Sequence, residues 1–99
     1  FVITDAVTAT STGDYAHVFT GDRYTLPDGT LSGSALTMMK CVKNCIERAG
    51  IDMEEALRMA SLYPAKAIGI DNMYGKIERG YNASMVVFDE KLQVQMVTT

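Results

Sequence analysis

The segment SALTMMKCVKNCIERAG, residues 34–50, determines the first long element of the fold. Its apolar residues recur at steps of three and four, which places them on one face of a helix. These residues are Leu36, Met39, Val42, Ile46 and Ala49. Ser34 is a residue type that caps helix starts, and Gly50 tolerates the left-handed conformation that ends them. The spacing therefore predicts an amphipathic helix that begins after Ser34 and ends at Gly50.

Two further helices are predicted directly after this one. Asp52, with Glu55 three residues later, resembles a capping box and predicts a second helix start. Pro64 then interrupts this helix, because the residue before a proline disfavours helical backbone angles. Pro64 can itself open a third, short helix over residues 65–68, which Gly69 would end.

Short strands are predicted on either side of the helices. Residues 1–3 are apolar, which is typical of a buried parallel strand. Residues 85–88 form a second apolar run, and residues 92–97 alternate between apolar and polar as a half-buried strand does. The expected fold class is therefore α/β.

The segment between the first predicted strand and the first predicted helix has a different composition. Residues 8–34 are rich in Thr, Ser, Gly and Asp and show no sustained period, which predicts a long loop. Short extended stretches are expected near residues 18–19 or 24–26. A loop of this length in a compact domain is more often functional than idle.

Composition excludes several classes of protein. The 99 residues are 47% hydrophobic and 21% charged with net charge −3, so disorder is not expected. The charges form no basic stripe for nucleic acid, and no apolar run approaches the roughly 20 residues that span a membrane. Cys41 and Cys45 are interpreted as small apolar or boundary residues of a helix. They form no disulfide framework, which favours a reduced, cytoplasmic setting. The chain starts in the middle of an apolar run and stops two residues after a strand-like stretch, so we expect a piece of a longer protein.

Asp5 is the strongest single candidate for a catalytic or metal-binding residue. It follows the strand predicted at residues 1–3, and sites in open sheets and α/β barrels lie at the carboxyl ends of strands. A carboxylate there can bind a metal ion, accept a proton from water, or return it to a leaving group. Aspartate also caps turns, so the residue alone leaves both roles open.

The segment DGTLSGS, residues 28–34, is a second candidate. Glycine permits unusual backbone angles, and free N–H groups at a helix start can hold a polar or anionic ligand. An ordinary Asp-Gly turn followed by a helix cap is the alternative. His17 is the only histidine, and we interpret it as a solvated loop residue. Because hydrolytic metal sites commonly use two or more histidines, this chain alone is not expected to form one.

Five segments together carry a family resemblance. VITDA at residues 2–6 is followed by DGTLSGSALTM at residues 28–38 and by a helical segment at residues 54–69. GKIERG at residues 75–80 and MVVFD at residues 85–89 come later, and many amidohydrolases share such a segment. In this order the chain resembles the N-acetylglucosamine-6-phosphate deacetylase family of the amidohydrolase superfamily.

The resemblance implies a fold. The family has a (β/α)8 barrel and a small β-sandwich that both ends of the chain build. Residues 1–74 would be the last barrel strand, the substrate loop and the C-terminal helices. Residues 75–99 would be the return strands of the β-sandwich. The chain would thus be a C-terminal fragment of the barrel together with part of the sandwich.

The resemblance also implies a reaction and its residues. Asp5 matches the family's catalytic aspartate, a general base towards metal-bound water and then an acid towards the departing amine. Leu31, Ser32 and Gly33 match a segment that contacts the amino-sugar phosphate substrate. The reaction implied is hydrolysis of N-acetylglucosamine 6-phosphate to glucosamine 6-phosphate and acetate.

Further components are implied beyond this chain. The family's metal ligands, a glutamate and histidines, belong to earlier barrel strands. A divalent metal ion is therefore expected in the intact enzyme, with Asp5 as an additional weak ligand, and no metal ion on this chain alone. The isolated chain is predicted to be inactive. The partners expected are the substrate, the missing N-terminal barrel portion and a second copy in a homodimer.

Two alternatives stay open. The chain could belong to another amidohydrolase, acting on a cyclic amide or a different acyl-amine. It could instead be a stand-alone, non-catalytic interaction module that binds a partner through the face a missing barrel would cover. Substrate profiling of the complete protein would separate the two amidohydrolases. Large exposed apolar patches drive association, so a stable monomer would favour the module, and oligomerisation or aggregation would favour the fragment.

Overall fold

A computed structural model describes residues 1–9 and 16–99, which fall into two compact units. The β unit comprises Ile3–Met38, and the helical unit comprises Phe1–Val2 and Met39–Thr99. The chain is thus mixed α/β, as expected. The boundary predicted between residues 74 and 75 stays a prediction.

Antiparallel strands make up the β unit. In order across the sheet they are β1 (Val18–Thr20), β2 (Arg23–Thr25) and β3 (Leu31–Ser34). A two-residue turn joins β1 to β2, with Gly21 at φ 72° in its first position, as type II′ hairpin turns require. The sequence Pro-Asp-Gly at residues 27–29 makes the second turn, where the Gly29 N–H donates to the Leu26 carbonyl at 2.9 Å.

This sheet corrects the long loop predicted over residues 8–34. The extended stretches expected near residues 18–19 and 24–26 are strands, but β3 was not predicted. Strands of three or four residues are too short to show a period, so the turns carry the signal. Residues 10–15 of the predicted loop lie outside the described residues.

The buried strand predicted at residues 1–3 is not formed. No strand is assigned among residues 1–5, and Phe1 and Ile3 are 68% and 71% exposed. A parallel strand needs a ladder partner on at least one side. In the part of the chain that is described, parallel pairing is limited to one bridge between Ala6 and Ser34.

The helical unit contains the apolar core. Its helices are α1 (Met38–Glu47), α2 (Met53–Ala60) and α3 (Leu62–Ala67). The buried apolar side chains come from all of them: Val42, Ala56, Leu62 and Ala65. Within the described ranges, no helix has the length and apolar character that crossing a membrane requires.

Glycines end two of the helices as predicted. Gly50 and Gly69 follow α1 and α3 with φ of 67° and 77°, in the left-handed region. Ser34 does not cap α1, because it lies in β3 and the helix begins only at Met38. Asp52 occupies the position before α2, but its side chain makes no capping hydrogen bond.

The break between α2 and α3 comes earlier than predicted. It lies at Ser61, with φ −135° and ψ −68°, and not at residues 63–64. Pro64 sits in the first turn of α3, where its missing N–H has no helical partner to lose. The predicted third helix is therefore real, but it starts at Leu62.

A two-stranded hairpin closes the chain. β4 (Met85–Phe88) is confirmed, and it pairs antiparallel with β5 (Val94–Thr98). The Asp89 carboxylate accepts the Lys91 and Gln93 N–H groups, both at 2.9 Å, and so holds the turn. The half-buried strand predicted at residues 92–97 starts later, at Val94, and its apolar face is not buried, since Val94 and Met96 are 46% and 54% exposed. A two-stranded ribbon leaves both faces open unless another layer covers it.

Replacing Gly75 with alanine is expected to destabilise the helical unit. A Cβ at Gly75 would lie 2.9 Å from the Leu62 Cα, and its φ is 100°. Left-handed geometry costs about 1–2 kcal/mol and overpacking about 1–3 kcal/mol. Gly80→Ala is the matched control, because φ is 93° and no atom lies within 4 Å. Urea denaturation followed by circular dichroism measures both variants, and equal losses would contradict the close packing.

Glu55 is expected to add a pH-dependent contribution to stability. Its carboxylate accepts the Tyr63 hydroxyl at 2.5 Å and the Arg58 guanidinium at 2.8 Å, and these hydrogen bonds lower the pKa of Glu55. The contribution is complete above the unfolded pKa, about 4.3, and is lost as pH falls through the lower folded pKa. Glu55→Gln should therefore flatten the acid limb of stability against pH. An unchanged acid limb in thermal melts between pH 3 and pH 6 would refute this assignment.

Candidate functional site

Ser34, at the end of β3, is hydrogen-bonded to the segment that contains Asp5. Its N–H donates to the Asp5 carbonyl at 2.9 Å, and its carbonyl accepts the Val7 N–H at 3.1 Å. Its hydroxyl donates to the Thr4 carbonyl. Ser34, the residue predicted to cap a helix, thus holds the backbone of residues 4–7 beside β3 through both its side chain and its main chain.

The backbone of Asp5 is in the left-handed region, with φ 52°. This conformation costs a residue with a Cβ about 1–2 kcal/mol, although aspartate tolerates it better than most. Such residues persist where their surroundings hold them, and they cluster at functional sites. The hydrogen bonds from Ser34 supply that restraint, and the Asp5 side chain stays exposed.

A cleft of about 290 Å³ opens at this point in the β unit. It is lined by Asp5, Asp22, Arg23, Leu31, Gly33 and Ser34. Of the residues predicted for the site, Asp5, Leu31 and Gly33 therefore lie together, whereas Ser32 is not in the lining. An exposed carboxylate in a cleft can exchange protons with a bound polar molecule. The roles of these residues stay predictions.

Gly33 lets β3 approach the Asp5 segment closely. It is buried, and a Cβ built on it would lie 2.7 Å from both methyl carbons of Val7. Only a residue without a side chain fits at that distance. The cleft geometry therefore depends on glycine here as well as on Ser34.

The side chain of Ser32 is hydrogen-bonded to His17, which the sequence did not indicate as a site residue. Its Oγ lies 2.9 Å from the Nδ1 of His17, and both residues are half-buried. His17 is a loop residue, as predicted, but the interpretation that it is solvated is corrected, because it is half-buried and hydrogen-bonded. Periodicity gave no signal for this contact, because it joins residues on two different edges of the sheet.

Asp22 and Arg23 are cleft residues that the sequence did not identify. The Arg23 Nε donates to an Asp22 carboxylate oxygen at 2.8 Å, and this contact raises the pKa of Arg23. The register of the sheet pairs Arg23 with Ser34 across β2 and β3. The position of Asp22 and Arg23 in the cleft follows from this strand register. The local sequence around Gly21 does not reveal the register.

The anion-binding helix start considered for residues 28–34 is not formed. The segment leads into β3, and α1 begins only at Met38. Asp28 belongs to a turn, where its carboxylate accepts the Thr30 N–H at 2.9 Å, a contact that lowers the pKa of Asp28. The turn alternative is correct for Asp28, while the helix-cap part of that alternative is not.

The metal-binding side chains do not form a centre among residues 1–9 and 16–99. No group of three or more His, Cys, Asp and Glu residues lies together there. Asp5 and Asp22 share the cleft, His17 is bonded to Ser32, and burial raises the pKa of Cys41 in α1. This donor set does not fit a metal ion by itself.

Named relatives match between 94% and 97% of this chain. The N-acetylglucosamine-6-phosphate deacetylase of Haemophilus influenzae is 37% identical, covering 94% of this chain and 27% of that protein. The human deacetylase of the same name is 36% identical, covering 95% and 25%. A putative N-acetylgalactosamine-6-phosphate deacetylase of Escherichia coli K12 is 34% identical, covering 97% and 62%. The chain thus spans about a quarter of the Haemophilus and human relatives and under two thirds of the Escherichia coli one.

The fold agrees with these relationships. The crystal structure of N-acetylglucosamine-6-phosphate deacetylase from Pasteurella multocida superposes with a TM-score of 0.87 at 33% identity, covering 97% of this chain and 27% of that one. A sequence model of the amidohydrolase family matches residues 4–99. The resemblance expected from the sequence is confirmed: this chain belongs to the amidohydrolase family.

Proposed function

We propose that this chain is the C-terminal part of a hydrolase that converts N-acetylglucosamine 6-phosphate to glucosamine 6-phosphate and acetate. The observation that carries the proposal is the hydrogen-bonded union of Asp5 with β3 through Ser34. It brings the predicted proton-transfer residue to the strand that holds the predicted substrate segment. The names of relatives at 37% and 36% identity support this choice of substrate.

The complete enzyme would supply the rest of the barrel. Residues 1–5 would then gain the ladder partners of a last barrel strand, which agrees with the exposure of Phe1 and Ile3 here. Residues 75–99 would return to a small β-sandwich, which would cover the open faces of the β4–β5 hairpin. We keep the cytoplasmic location expected from the sequence, and we expect a homodimer.

Asp5 would move the proton in this reaction. Its carboxylate would take a proton from the attacking water and pass it to the amine nitrogen as the amide bond breaks. Leu31, Ser32 and Gly33 would contact the sugar phosphate along β3. A divalent metal ion, held by residues outside this chain, would polarise the amide carbonyl and acidify water, with Asp5 at most an additional ligand.

Asp5→Asn in the complete polypeptide is expected to lower kcat by about 10²–10⁴-fold, since asparagine keeps the shape but accepts no proton. Asp28→Asn is the matched control, because Asp28 lies in the β2–β3 turn and does not line the cleft. Acetate release measures both. Near-normal turnover by Asp5→Asn would refute the assigned role.

Gly33→Ala is expected to impair the same reaction by pushing Val7, and with it the Asp5 segment, away from β3. A displacement of about 1 Å can cost about 10²-fold in rate. Adding Val7→Ala removes the methyl groups that clash, so the double variant should recover most activity. Val7→Ala alone is the control. A double variant no better than Gly33→Ala would contradict the packing argument.

The same assay separates the alternatives. The complete polypeptide should release acetate from N-acetylglucosamine 6-phosphate, whereas the 99-residue chain should not. The name of the Escherichia coli relative makes N-acetylgalactosamine 6-phosphate the second substrate to test. Turnover of cyclic amides or other acyl-amines instead would favour a different amidohydrolase. A stable monomeric 99-residue chain that binds a protein partner would favour an interaction module.

A further inference from the structure

Ser32 is the extra residue of a β-bulge. On β2 and β3, Tyr24 pairs with Gly33 and Thr25 pairs with Leu31, so no residue of β2 lies opposite Ser32. A bulge leaves its extra residue outside the ladder and turns its backbone and side chain in a new direction. Bulges are common next to functional sites for this reason. This one lies within the segment predicted to contact the substrate.

His17 holds the side chain of that bulged residue. Its Nδ1 lies 2.9 Å from the Ser32 Oγ, and the two residues are half-buried and fifteen positions apart. His17 directly precedes β1, whereas Ser32 is in β3, so the contact crosses from one edge of the sheet to the other. A bulge without such a contact can relax by slipping its register by one residue.

We propose that His17 is a positioning residue that sets the affinity for the amino-sugar phosphate through Ser32. By anchoring the Ser32 hydroxyl, His17 keeps the bulge in one geometry. The backbone of Ser32, which has no partner residue on β2, would then keep one orientation towards a sugar bound along β3. This inference rests on the proposed function, because it takes Leu31, Ser32 and Gly33 as the substrate segment.

Either tautomer of the imidazole supports this role. A neutral Nδ1 accepts a hydrogen bond from the Ser32 hydroxyl, and a protonated Nδ1 donates one to its oxygen. The side-chain amide of asparagine has both a donor and an acceptor near the position of Nδ1. His17→Asn is therefore the conservative variant that preserves the contact, and His17→Ala is the variant that removes it.

The test is a kinetic comparison in the complete polypeptide. Loss of one hydrogen bond of about 1.4 kcal/mol predicts that His17→Ala raises KM about tenfold. We expect kcat to stay within about twofold and His17→Asn to restore KM. The double variant His17→Ala/Ser32→Ala should be no worse than the poorer single variant, because both remove the same bond.

The chain offers a matched control within the same sheet. Thr20 and Thr25 join β1 to β2 through their hydroxyl groups at 3.1 Å; Thr25 pairs with Leu31 beside the bulge, but Thr20→Ala leaves the contact between His17 and Ser32 in place. Thr20→Ala should therefore leave KM unchanged. An equal rise of KM in Thr20→Ala would mean that any weakening of the sheet has this effect, and would overturn the proposal.

Other outcomes overturn it as well. KM unchanged in His17→Ala, no rescue by His17→Asn, or additive losses in the double variant would each show that His17 does not act through Ser32. If the unmodified polypeptide neither releases acetate nor binds glucosamine 6-phosphate in calorimetry, the proposed function fails and this inference fails with it. Activity in the unmodified protein together with a silent His17→Ala variant refutes only the role of His17.

Discussion

The hydrogen bonds made by Ser34 are the constraint on which the β unit depends. Residues 1–5 form no strand, so no ladder places Asp5. The main chain of Ser34 binds the Asp5 carbonyl and the Val7 N–H, and its hydroxyl binds the Thr4 carbonyl. These bonds hold Asp5 in its left-handed conformation in the lining of the cleft. The hydrogen bonds of one residue, Ser34, thus position Asp5 although no strand is formed before it.

The rest of the site depends on the position of β3 beside the segment that contains Asp5. The turns at Gly21 and at residues 27–29 close two hairpins and so set the register of β2 against β3. The register places Arg23 opposite Ser34 and leaves Ser32 as a bulge. Gly33 then packs against Val7 at a distance no side chain allows. The turns, the strand register and the close packing of Gly33 together determine the geometry of the site around β3.

Local signals predicted the elements whose causes are local. Helical spacing and the left-handed glycines Gly50 and Gly69 gave α1 and the end of α3, and an apolar run gave β4. The sheet of β1 to β3 was largely missed because its strands are short and its order comes from pairing. The contact between His17 and Ser32 has no sequence signal, since only the folded sheet brings them together. The role of Asp5 was predicted from its motif and stays a prediction, and the strand expected before it is not formed.

The most direct test of this account is a crystal structure of the complete polypeptide with glucosamine 6-phosphate bound. The account predicts an Asp5 carboxylate oxygen within about 3 Å of the sugar nitrogen, a distance that permits proton transfer. It also predicts the sugar against residues 31–33, with Ser34 still bonded to the Thr4 and Asp5 carbonyls. A sugar bound away from β3, or an Asp5 side chain turned out of the cleft, would contradict the account.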